Sequence, residues 1–134
     1  MRFMLLKHYA PVESGAPTIT EWSPEDFKAH VDFQRAHVAE LAESGELVEA
    51  SALGGPDQVK VVTFQGKGAP VVTDGPFSEA KELLAGYITV DVDSIERAIE
   101  IAAKQSAAPG PNGVPLGEHI ELREVLGGAP DAEV

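Results

Sequence analysis

Val72-Thr73-Asp74-Gly75-Pro76-Phe77-Ser78-Glu79-Ala80-Lys81-Glu82-Leu83-Leu84-Ala85-Gly86-Tyr87 breaks a β-branched run at a turn and then re-enters apolar sequence. The turn has a mechanism. Asp74 can bond its own backbone two residues on, Gly75 supplies permissive dihedrals, and Pro76 fixes φ while removing a donor. Upstream, 59–64 and 70–73 are short β-prone runs separated by Gln65-Gly66-Lys67-Gly68-Ala69, which has the length and composition of a hairpin loop. Downstream, 78–83 fits a single helical turn. The stretch 85–92 then reads as a strand with Gly86, Ile88, Val90 and Val92 on one face.

Further out, 2–9 carries large apolar residues on both alternating sets, Phe3 and Leu5 against Met4 and Leu6, so this strand wants cover on both faces. After an aperiodic loop, Ser23-Pro24-Glu25-Asp26 supplies an N-cap serine, a proline at the first helical position and an acid at the third. Phe27, Val31, Gln34, Val38 and Leu41 make one stripe on a helix that runs to about Ser44 and stops at Gly45. A strand follows over 46–53. Asp93-Ser94-Ile95-Glu96 repeats the capping pattern for a second helix to about Lys104, with Ile95, Ala98, Ile99 and Ala102 as its apolar face. The run 107–117 is a proline- and glycine-rich loop, 118–126 is a closing strand with Ile120 and Leu122 inward, and 127–134 reads as a flexible tail. Strand, helix, strand, hairpin, strand, helix, strand is the split βαβ order of an α+β, ferredoxin-like fold. It predicts an antiparallel sheet with both helices on one face and an inserted β-hairpin.

Asp74-Gly75-Pro76-Phe77, continued by Gly86-Tyr87-Ile88-Thr89-Val90-Asp91-Val92, resembles the signature of the DGPF, or YCII-related, domain family. The resemblance runs from Met4-Leu5-Leu6 through the first helix to Ile120-Glu121-Leu122-Arg123, and departs from the family pattern in the loops after Tyr9 and before the last strand. It implies a single domain over 1–134 with the ferredoxin-like architecture, and two copies paired through their open sheet faces as a dimeric α+β barrel. A homodimer is therefore expected.

With 134 residues and 43% hydrophobic content, the chain suffices for one core. No apolar run approaches the ~20 residues that span a bilayer, and Met1-Arg2-Phe3-Met4-Leu5-Leu6-Lys7 is too soon charged for a secretion signal, so a cytoplasmic protein without membrane contact is expected. The absence of cysteine excludes disulfides, thiolate metal sites and a cysteine nucleophile. A formal charge of -12, from 22 acidic against 10 basic side chains, repels phosphate backbones and argues against nucleic-acid binding.

His30 and His37 fall on one flank of the first helix, two turns and about 10 Å apart along its axis, too far to share one zinc ion. No metal is expected. His37 also matches the position of a histidine in the first helix of several YCII-related proteins for which an active-site role has been proposed. An imidazole there serves either as an acid/base group or as a boundary histidine bonded to a backbone carbonyl. Asp74, held on its rigid turn, is the candidate partner, although the same carboxylate can satisfy the turn itself. His8 and Tyr9 end the first strand beside a loop, His8 as a second candidate imidazole and Tyr9 as a substrate contact. Phe77 anchors the turn, and Glu79 lines the pocket or answers a helix dipole. The expectation is a common pocket holding Asp74 and at least one of His37 and His8.

Neither a phosphate-binding loop nor a nucleophile elbow occurs, so no nucleotide cofactor or serine hydrolase is implied. Two functions remain open. One is acid/base chemistry of isomerase or lyase type on a small molecule, using a histidine and Asp74, as relatives in the dimeric barrel superfamily suggest. The other is a non-catalytic ligand-binding or regulatory module, in line with the family's association with bacterial sigma-factor systems.

Overall fold

The structure, a computed structural model, describes residues 1–9, 19–75 and 83–127. Its central strand is β1 (Arg2–Tyr9), which pairs antiparallel with β5 (Leu83–Asp91) on one side and β6 (Ile120–Glu124) on the other. Adding β2 (Leu47–Ala52) beside β5 gives the order β2-β5-β1-β6, the expected α+β, ferredoxin-like sheet. Leu5 stands opposite Ile88 on one side and Leu122 on the other, and Phe3 opposite Val90, so all share one face. With Leu41, Val92, Ala98 and Ile101 from beyond the sheet, Phe3, Leu5, Ile88 and Val90 form the core.

Helix α1 (Pro24–Glu43) starts as its sequence dictates, with Ser23 Oγ accepting from the Asp26 amide at 3.1 Å. It stops at Gly45, whose φ of 81° is left-handed backbone that glycine adopts without penalty. Helix α2 (Ile95–Ser106) is capped in the same way by Ser94, which accepts from the Arg97 amide at 3.2 Å. Arg97 then grips Glu46 at the entry to β2 through Nε at 2.8 Å and Nη2 at 2.9 Å. These bonds, with a third from Ser44, hold the Glu46 carboxyl down at about 2.

Both helices are rolled relative to their most apolar stripes. In α1 the buried residues are His30, His37 and Leu41, and in α2 they are Ala98, Ile101 and Gln105. At 100° per residue the buried face lies about 60° in α1 and about 75° in α2 from the stripe that apolarity predicts. Ile95 and Ile99, expected inward, are 45% and 53% exposed. Small Ala98 lets α2 settle close to the sheet, and the two isoleucines are left outside.

The insertion is a hairpin of β3 (Lys60–Thr63) and β4 (Val71–Asp74), a two-stranded sheet separate from the main one. Gly75 closes it by donating to the Val59 carbonyl at 2.9 Å, where an added Cβ would meet a Val59 methyl at 2.9 Å. Phe77, Glu79 and the helical turn expected from 78 lie outside the described residues, whereas Leu83 belongs to β5, not to that turn. The tail expected from 127 also lies outside them, apart from Gly127. No described helix is long and apolar enough to cross a membrane.

Candidate functional site

Because α1 is rolled, its apolar stripe overlooks a gap above the β2–β5 half of the sheet, with Val31, Gln34 and Val38 on one wall and Ala50, Ala52 and Gly86 on the other. This is a cavity of about 520 Å³, within the range that holds small organic ligands. Gly86 forms part of its floor, and an added Cβ there would meet the Ser51 carbonyl oxygen at 2.9 Å.

At one end stands His30, 1% exposed, with the Trp22 ring edge-on at 5.3 Å between centroids. Its Nδ1 lies 2.9 Å from the Pro109 carbonyl oxygen, which can only accept, so Nδ1 carries the hydrogen and Nε2 a lone pair. The Lys7 ammonium donates to that Nε2 at 3.2 Å and sits 3.2 Å from a Glu118 carboxylate oxygen. Burial lowers the His30 pKa. The carbonyl bond and Glu118 oppose that shift, while Lys7 adds to it. His30 is thus a neutral, fully bonded imidazole that fixes the lysine.

Further along α1, His37 is 3% exposed and lines the same cavity, yet neither ring nitrogen has a hydrogen-bond partner. Its ring stacks on Phe33, with centroids 6.4 Å apart and planes at 23°. Burial lowers its pKa as well, with a smaller push from Lys104 in the same direction and an opposing one from Glu40. A neutral imidazole with a free lone pair and a free N–H can take up or give a proton at neutral pH. Gln105, also lining the cavity and buried, has a side-chain oxygen without a partner. The Tyr9 hydroxyl reaches in from β1 and donates to the Leu53 carbonyl at 3.4 Å.

The expected common pocket is not what forms. Asp74 ends the hairpin with its side chain 84% exposed and ion-paired to Lys60, bonded to neither His37 nor His8. A charge with a lysine across the hairpin and open water needs no pocket. His8 follows Lys7 on β1 and so points to the opposite sheet face, while Lys7 and Tyr9 line the cavity. Of the residues singled out from sequence, the cavity collects His37 and Tyr9; Phe77 and Glu79 lie outside the described residues. Lys7, Glu118 and Gln105 were missed. Lys7 had a signal, since it falls on the same alternating set as Phe3 and Leu5, and a lysine on the inward face of a strand is rarely idle. Among the described residues, no group of three or more His, Cys, Asp or Glu side chains is placed to hold a metal ion.

The profile of the YCII-related domain matches residues 1–114 of the chain. An uncharacterized protein of Rhizobium meliloti (strain 1021) is 30% identical over 87 residues, spanning 65% of this chain and 69% of that one. The profile match takes in Lys7, Tyr9, His30, His37 and Gln105 but ends before Glu118.

Proposed function

The chain belongs to the YCII-related domain family, and from that premise we propose that it binds a small, largely apolar molecule between α1 and the sheet and moves a proton on it through His37. One observation carries this reading: His37 is buried in the wall of a ligand-sized cavity with both ring nitrogens unpartnered. A buried polar group without a partner costs roughly 1–3 kcal/mol, so such a group is retained where a guest or a reaction uses it. His37 accepts a proton from the bound molecule and returns it at another atom, chemistry of isomerase or lyase kind. The wall around the exchange is largely apolar.

A second reading, a non-catalytic binding module of bacterial transcription systems, is favoured by a different observation. Among the described residues no carboxylate hydrogen-bonds His37, so nothing orients its tautomer as a catalytic base is usually oriented. Proton exchange separates the two. In D2O, a panel of small enolisable carbonyl compounds should lose C–H signals in proton NMR faster with the protein than without it, and His37→Gln should slow that loss about 100-fold. Equal exchange by the two proteins defeats the catalytic reading. Compounds that still raise the melting temperature would then leave the binding module standing.

A homodimer is proposed on the family resemblance. Met4 and Leu6 point away from both helices on the face shared with Tyr87, where Leu6 is already buried within one chain and Met4 is half-buried.

A further inference from the structure

Resting on the reading of the cavity as a ligand site, we propose that the molecule it takes is uncharged, with a carbonyl-type acceptor held by Lys7 at one end and a hydroxyl or N–H donor held by His37 and Gln105 at the other. The Lys7 ammonium has three N–H donors. One goes to His30, Glu118 is ion-paired with the ammonium at 3.2 Å, and at least one donor is left for the cavity that Lys7 lines. His30 itself has nothing left to offer, since Pro109 and Lys7 occupy its two nitrogens.

Charge decides what kind of acceptor fits. Glu118, 3.2 Å from the ammonium, already neutralises it, so a carboxylate arriving at Lys7 would face a like charge at close range. The formal charge of -12 on the whole chain adds a field that repels anions on approach. A neutral carbonyl oxygen meets neither penalty and still gains a hydrogen bond from a cation.

The other end asks for the opposite group. The orphaned Gln105 side-chain oxygen can only accept, and the neutral His37 ring has both a lone pair and an N–H, so a ligand hydroxyl can donate to the one and accept from the other. His30 and His37 lie two turns apart, about 10 Å along the helix, and Lys7 sits at the His30 end. Allowing ~3 Å for each hydrogen bond leaves about 4 Å between the ligand's two polar atoms, on the order of the span of one six-membered ring. Phe27, Val31 and Val38 supply an apolar wall for the body of such a molecule.

Three probes of one shape test this at pH 7 by amide chemical-shift titration. They are 4-hydroxyacetophenone, with a neutral acceptor and a donor, 4-hydroxybenzoate, with an anionic acceptor, and acetophenone, with no donor. The first should bind wild-type protein about tenfold more tightly than either of the others. Glu118→Gln, which exposes the lysine charge, should shrink or reverse the preference for ketone over acid. The proposal is overturned if the acid binds wild-type protein as well as the hydroxyketone does, if acetophenone matches it, or if none of the three binds at millimolar concentration. A failed order with binding that still depends on His37 removes only the ligand class. Equal binding of 4-hydroxyacetophenone by wild type and His37→Gln removes the cavity reading beneath it.

Discussion

At the scale of single residues, two imidazoles are kept neutral by burial, and this makes the protein acid-sensitive in a defined window. The pKa of His30 and of His37 is lowered in the folded state from the ordinary value near 6.5. Below about pH 6.5 the unfolded chain therefore binds protons that the folded chain refuses, so stability is fully present above that pH and is lost as pH falls toward the folded pKa values. Each such proton contributes up to about 1.4 kcal/mol per pH unit. Urea titrations between pH 7.5 and 5 should show stability declining with acid, and His37→Gln should flatten that decline by about one proton; an unchanged slope would mean that His37 titrates normally. His37 was legible as a candidate because it flanks an apolar stripe. Its isolation was not, since the position of Asp74 depends on how a hairpin sits and not on the turn that forms it. The pairing of Lys7 with Glu118 was equally hidden, because it joins residues brought together only by the β1–β6 pairing.

At the scale of elements, caps and turns were readable and helix roll was not. Ser23, Ser94 and Gly45 act locally, and the structure uses each as its chemistry requires. Roll depends on which side chains the sheet can accept, and the sheet accepts two histidines and an alanine in preference to Phe27, Ile95 and Ile99. Apolar periodicity finds the stripe but does not weigh it against the site the helix must build. Gly86 shows the same limit in a strand. It sits opposite Lys7 on one side and Ala52 on the other, next to a register shift between Lys7 and His8. Its missing side chain reads as a weak point in an otherwise good strand, yet it is what lets β2 and β5 approach. Gly86→Ala should force those strands apart and cost about 1–3 kcal/mol, measured by chemical denaturation. A change within a few tenths of a kcal/mol would show that the Ser51 carbonyl moves aside freely.

At the scale of the whole molecule, the order of elements and the sheet topology were legible because the two capped helices and the turn signals divide the chain unambiguously. The oligomeric state is a matter of surface, and the expected outcome is a homodimer in solution. Light scattering should return about twice the 14.1 kDa of one chain at micromolar concentration, and a mass near 14.1 kDa would defeat it. The network around His30 also has a place in time. Its carbonyl partner Pro109 is 79 positions away, and Glu118 comes later still, just before the final strand. During synthesis α1 and β1 emerge early, with an imidazole and a lysine that have no companions yet. Loop closure is far faster than synthesis, in which the chain leaves the ribosome at roughly 5–20 residues per second, so emergence of the chain sets the order. Lys7 is therefore fixed only once nearly the whole chain has emerged, and a nascent chain halted before Pro109 would carry α1 and β1 with no finished site to bind anything.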